Sequence, residues 1–375
     1  MTNQSRLSRR MFLGGSIGVA GLASSTIALS ASPQSAYASP AISNTSDLTN
    51  TQAVAPVARP KTTTAPKPPT TAPAPPTAAP APSLPFMVGD VNPKLNGFDP
   101  TQILTNFDGG TVSKLANGQT LRQYTIISTN KTFYPAPGKP FPGWTFNGRV
   151  PGPTIRATAG DRIRIHFINK GNIAHGIHFH GIHAANVDGA FTSVIPGSET
   201  FYEFDAQPFG VHVYHCHMSP LKDHIQKGLY GFFIIDPPAA QPRPPAKEFL
   251  MMMNGVVFKD SVGEVKINDL YAINTVAYHF LKHPIPVAVN QPIRIYLASM
   301  VEFDRVTGFQ MHSTMFNHFP TGTSLQPSEV TNSVLLCQGQ RSILEFILKS
   351  PGQYLFRAMH SLGADRGFIG AFQAK

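Results

Sequence analysis

The chain has 375 residues, a formal net charge of +10, and only 13% charged against 42% hydrophobic residues. Such a length leaves room for two or three domains. The positive excess is spread along the chain, which suggests solubility or weak attraction to acidic surfaces and gives no sign of a nucleic-acid partner. Two cysteines permit at most one bridge, so the expectation is a ligand at Cys216 and a buried thiol at Cys337 rather than a disulfide.

In chain order, the first segment is "SRRMFLGGSIGVAGLASSTIAL", where Arg9 and Arg10 precede a mildly apolar run rich in small residues, followed by "AYA" at Ala36 to Ala38. This pattern predicts a twin-arginine export signal over residues 1–38; its many small residues favour that over an uncleaved membrane anchor. Three arginines and no Asp or Glu precede Ser39, so the remainder carries +7. The folded protein is then expected to work outside the cytoplasm, in a periplasm or beyond the cell. Residues 39–85 hold 12 of the 35 prolines, in runs such as "KTTTAPKPPTTAPAPPTAAPAPSLP". That composition cannot bury a core and predicts an extended spacer, a tether to the cell envelope.

From residue 120 onward, short alternating segments are broken by Gly, Pro and Asn, with hardly any helical periodicity. "DRIRIHFIN" from Asp161 is repeated by "QPIRIYLAS" from Gln291, and with these in register "GIHFHG" lies over "GFQMHS" and "FGVHVYHCHM" over "PGQYLFRAMH". An internal repeat of this length predicts an all-β chain of two tandem Greek-key sandwiches, 86–240 and 241–375, joined through "DPPAAQPRPPAK".

Eight of the fourteen histidines fall between His175 and His224. In a strand, residues two apart share a face. His178 and His180 then point one way, as do His215 and His217, while Cys216 points to the other side. A strand reaching back to His175 would put that histidine on the Cys216 side too. His175, Cys216 and a returning His224 make a His2Cys set, the donor set of a blue-copper electron-transfer centre. The four imidazoles on the reverse face suit a copper cluster that binds oxygen, and a closed zinc site would gain nothing from two faces. His166, His183, His212, His279, His283 and His318 are read as structural.

These motifs, with "NGRVPGPTIRATAGDRIRIHFIN", "HFHGIH", "YHCH", "GLYGFFII", "MFNHFPTGT", "GQRSILEF" and "PGQYLF", resemble a two-domain multicopper oxidase related to laccases and copper nitrite reductases. The resemblance implies cupredoxin domains in a homotrimer, with a second copper site between domain 1 of one subunit and domain 2 of the next. It implies His175, Cys216 and His224 as type 1 copper ligands, with Leu229 at the axial position where nitrite reductases carry methionine. His178, His180, His215 and His217 match two ligand pairs of an oxygen-reducing cluster. In domain 2 the expected ligands become Gln310, Arg357 and Met359, and His312 alone is kept. His360 follows one residue late. His312 also matches the catalytic histidine of nitrite reductases, and His178 takes the place of their proton-donating aspartate.

Three functions follow from the resemblance. The first is an exported copper oxidoreductase that takes electrons from a small-molecule or protein donor and passes them to oxygen. The second is a nitrite-reductase-like enzyme with a mononuclear type 2 copper. The third is a non-enzymatic type 1 copper carrier or copper-binding protein.

Overall fold

The computed structural model describes residues 89–181, 186–258 and 267–375. The predicted export signal and spacer, and His183, lie outside the described residues. Alternation sets the first half: in the strand Arg162–Asn169, every second residue is buried, so Ile163, Ile165 and Phe167 enter a core while Arg162, Arg164 and His166 face outward.

The first half is a sandwich of two sheets. Its histidine sheet runs in the order Phe107–Asp108, Thr154–Thr158, Tyr230–Asp236, Gly210–His215, His178–Phe179. The opposing sheet contains Thr111–Lys114, Thr120–Ala136, Arg162–Asn169 and Glu199–Asp205, with Lys139–Phe146 paired to the second of these. Between them lies an aromatic and β-branched core that includes Phe179, Tyr214, Cys216 and Leu229.

The second half repeats the architecture. A facing sheet runs Leu270–Ile273, Lys247–Val256, Pro292–Met300, Arg341–Ile347, Phe316–Pro320, Glu329–Thr331. A far sheet runs Ile285–Val287, Ile369–Ala374, Gly352–Ala358, Thr307–Met311, Ser333–Leu336. Phe309, Met311, Leu344, Phe356 and Phe372 fill the space between them. The chain is all-β apart from short helices, as the turn-broken alternation predicts.

A third apolar cluster joins the halves. Val211, Val213, Phe232 and Ile234 on the back of the histidine sheet pack on Leu250, Met252, Tyr296 and Ile343 of the facing sheet. Pro292–Met300, which resembles Arg162–Asn169 in sequence, is therefore buried on both faces beyond its first residue. Two short helices, Pro93–Asn96 and Pro100–Ile103, lead into the same joint, where Leu250 N–H donates to Leu104 O at 2.8 Å. Cys337 is exposed, contrary to the expected buried thiol: it follows Leu336 at the end of a strand, in the turn that Gln340 closes.

Candidate metal centres

Cys216 continues the line of Gly210–His215 past its last ladder pair, with its N–H donating to Leu229 O at 2.9 Å. Because Phe179 and Tyr214 also face the core, the alternation aims the Cys216 side chain inward and sends His215 the opposite way. The predicted strand through His175 is shorter than expected. It covers only His178–Phe179, and His175 reaches the core side through a separate antiparallel bridge to Val194. His224 returns on the helix Leu221–Gln226, whose buried side carries His224, Ile225 and Gln226.

These three side chains converge. Cys216 Sγ stands 3.1 Å from His224 Nδ1 and 3.9 Å from His175 Nδ1, and the two nitrogens are 3.3 Å apart. The centre of that triangle lies about 2 Å from each atom, a metal–imidazole bond length. All three residues are buried. Burial, with His224 nearby, pushes His175 down to about 4, and burial also holds His224 below its ordinary value. Both rings thus present neutral lone pairs, as metal ligation requires. Burial raises the Cys216 thiol to about 11, so a cation in the triangle is what would stabilise its thiolate.

The surroundings of the triangle hold it in shape. Trp144, the chain's single tryptophan, packs its ring 5.2 Å from His175 and 4.8 Å from His224. Lys227 stands over that indole at 4.5 Å. Leu229 is fully buried in the same core as Cys216, and its side chain offers no donor atom.

On the reverse face, His178, His180 and His215 form a second set whose ligand atoms lie within 4.8 Å of one another. His180 Nδ1 and His215 Nε2 are 3.4 Å apart, and the His217 ring stands 5.0 Å from that of His178. Three of these rings meet a backbone carbonyl through Nδ1: His178 at Asp188 O (3.0 Å), His215 at Cys216 O (2.9 Å) and His217 at Ala190 O (3.2 Å). Donation from Nδ1–H leaves each Nε2 as the free lone pair, the arrangement by which ligand histidines are oriented. Burial pushes His215 down to about 3, and burial followed by the charge of Arg341 pushes His180 down to about 4.

Several of these neighbours had no warning in the sequence. Gly189 holds the Asp188 turn at φ +77°, where a Cβ would stand 1.9 Å from Ile177 O. Gly339, from the second half, lies so close that its Cβ would come 2.8 Å from His180 Cε1. Arg341 anchors beside it through Val211 O. Only Trp144, by its rarity, gave a signal that reading along the chain could have caught.

The second half keeps the register and changes the residues. His178 pairs with His215 in the histidine sheet, and Gln310 pairs with Arg357 in the far sheet. His180 N–H donates to Val213 O and His312 N–H to Leu355 O; Cys216 N–H donates to Leu229 O and Ala358 N–H to Phe368 O. The counterparts of Cys216 and Leu229 are thus Ala358 and Phe368, which with Thr307 line a cavity of about 210 Å³. His360 lines that same cavity, so its one-residue offset does place it away from the Gln310 and Arg357 face. Met359 is the counterpart of His217 and is partly exposed. His312 is on the far sheet, across the second core from the facing sheet that His180 borders, so one chain does not bring it to His178 or His215.

The histidines read as structural have other partners. His166 stacks on Phe201, His212 meets Pro208 O, His279 meets Thr101, His283 meets Asp90, and His318 meets Glu329 and Ser342.

Two repeated sandwiches with a buried His2Cys triangle define a copper protein of the cupredoxin class. The multicopper oxidase family model matches residues 128–240. A solved multicopper oxidase superposes with a TM-score of 0.73 at 44% identity, over 76% of this chain and all of that one. The chain belongs to the multicopper oxidase family, and copper is the metal its donor set fits. The copper-containing nitrite reductase of Neisseria meningitidis serogroup B is 25% identical over 253 residues, which is 62% of this chain and 65% of that protein's length. The copper nitrite reductase of Nitrosomonas europaea shares the fold, with a TM-score of 0.62 at 23% identity over 68% of this chain and 94% of that one.

Proposed function

We propose that the chain is an exported copper oxidoreductase that accepts electrons at the His175, Cys216 and His224 centre and delivers them to oxygen at the His178, His180, His215 and His217 face. The observation that carries this reading is the joint between the two centres. His215, Cys216 and His217 are consecutive, and the His215 ring meets Cys216 O at 2.9 Å, so the sulfur of one site is linked to the imidazoles of the other by a few covalent bonds and one hydrogen bond.

Copper held in these sets supplies one-electron redox chemistry. The chain's own residues do the rest. Asp188 O, Cys216 O and Ala190 O fix the direction of three rings, and Trp144 and Leu229 close the first centre off. Asp188 also places a carboxylate oxygen 3.9 Å from His178 Nδ1, where its charge favours the Nδ1–H tautomer that leaves Nε2 free. A homotrimer, in which His312 of a second copy reaches this face, completes the reading.

A second reading, reduction of nitrite at one mononuclear copper, is favoured by the three-histidine set His178, His180 and His215, which is compact without His217. The relative from Neisseria meningitidis named above is a copper-containing nitrite reductase. Copper per chain in freshly reconstituted protein, with oxygen and nitrite consumption under a phenolic or protein donor, separates them. More than two coppers with oxygen uptake is the expected result. Two coppers with nitrite loss would replace the oxidase reading, and one copper with neither would leave an electron carrier.

A further inference from the structure

The far sheet carries a row of side chains that no metal explains. Gln310 is paired with Arg357 on one neighbouring strand and with Ser333 on the other. Phe309, Met311, Val334, Phe356 and Ala358 turn into the second core, so Arg357, Gln310 and Ser333 share the opposite face. Adjacent strands are about 4.8 Å apart, so the three positions span about 10 Å in one line.

The chemistry of the row is that of a donor array. A guanidinium has no lone pair and stays cationic, so it binds no metal and repels one. Its Nε lies out of solvent with no hydrogen-bond partner among the described residues. His312 Nε2, one step along the same face, is also buried and unpartnered. A buried donor without an acceptor is costly, and a planar guanidinium matches an oxyanion through two parallel N–H···O bonds. Gln310 adds an amide NH2 and Ser333 a hydroxyl beside it.

We propose that Arg357, Gln310 and Ser333 bind a small inorganic oxyanion on the face where the repeat would otherwise carry copper. Arg357 supplies the charge and the bidentate contact, and the neutral donors close on the remaining oxygens. The row stands whatever His312 binds, and the inference goes beyond the redox reading rather than resting on it.

The test uses the full copper-loaded chain, titrated with inorganic phosphate by calorimetry in a chloride-free buffer. Saturable binding by the wild type is expected, weakened at least about tenfold by Arg357→Gln and a few-fold by Gln310→Ala and Ser333→Ala. Cooperative denaturant unfolding, read alongside the visible copper band of the other half, reports whether each variant is folded. Should Arg357→Gln not fold, the two milder variants decide: unchanged phosphate affinity in both would overturn the site. Absence of saturable binding by the wild type would overturn it as well. Equal affinity in wild type and Arg357→Gln would assign phosphate to the general positive charge of the chain. Loss of assembly in sedimentation with unchanged phosphate affinity would give Arg357 instead to a carboxylate of a second copy.

Discussion

The histidine sheet and the far sheet are the same surface built twice. Their ladders agree position for position, with His178 opposite His215 in one and Gln310 opposite Arg357 in the other. Where the first holds neutral lone pairs, the second holds a fixed cation and an amide, and where the first buries Cys216, the second has Ala358 beside a cavity. The sandwich therefore fixes where ligands can stand, while single side chains decide whether a metal is welcome. Among the described residues both candidate metal-ligand sets belong to one half, and the other half retains its geometry.

The sharpest way to break this contrast is at the sulfur. Cys216→Ser removes the soft thiolate, and the intense visible band of a copper–thiolate centre should vanish. The far sheet, which has only Ala358 at the matching place, cannot supply a replacement. Optical spectroscopy of the copper-loaded variant checks this, and a surviving band would move the first centre elsewhere.

The next largest effect lies where the halves meet. Glu248 of the facing sheet takes Arg156 of the histidine sheet at 2.6 Å, Arg294 at 3.0 Å and the Tyr296 hydroxyl at 2.7 Å. Burial alone would raise its carboxyl, but the hydrogen bonds and charges of these partners hold it below the ordinary value. Glu248→Ala removes one of the two carboxylates that each of Arg156 and Arg294 holds, leaving them Asp236 and Glu345, and should cost roughly 2 kcal/mol, read from denaturant unfolding. A depressed carboxyl contributes stability above its unfolded pKa of about 4.3 and loses it as pH falls through the lower folded value. Wild-type stability should therefore fall with acid below about pH 4.3, and the variant should show a shallower fall. An unchanged slope would mean that other carboxylates govern acid unfolding.

A smaller and more selective effect is expected from restoring imidazoles to the far sheet. Arg357→His with Met359→His recreates the His215 and His217 spacing on a strand of matching register. Copper uptake per chain should rise above the wild-type value, and the visible band should not change. No gain would show that the Gln310 position or the second copy, rather than Arg357, keeps metal away.

Much of this was legible because strand faces repeat every two residues. The separation of Cys216 from His215 and His217 follows from parity alone, and the overlay of His178 on Gln310 from the internal repeat, so neither needs tertiary information. Parity failed where chain direction changes. His175 reaches the core by a bridge to Val194 rather than by the strand, and Cys337 ends up in an exposed turn despite its apolar flank. Burial on both faces of Pro292–Met300 was only faintly written, in Tyr296 and Met300 where the first repeat has His166 and Lys170. Asp188, Gly339 and Arg341 were invisible, since each meets the histidines through a loop or across the joint between halves.

The smallest structural change tests the apolar wall of the first centre. Leu229 is fully buried, and its carbonyl accepts from Cys216, so its backbone is fixed beside the triangle. Leu229→Met conserves volume closely and should cost less than about 1.5 kcal/mol of stability. It also brings a thioether into the core that holds the His175, Cys216 and His224 set. A sulfur donor on the axis stabilises the oxidised metal relative to the reduced one, so the potential of the centre should fall, while copper per chain stays constant. Redox titration of the visible band reads this directly. A fall would show that the apolar side chain at 229 sets the driving force available to the second face. A potential that does not move would mean that residue 229 stands off the axis, and that the wall is made by Met218 or by the Trp144 side, both of which pack against the same core.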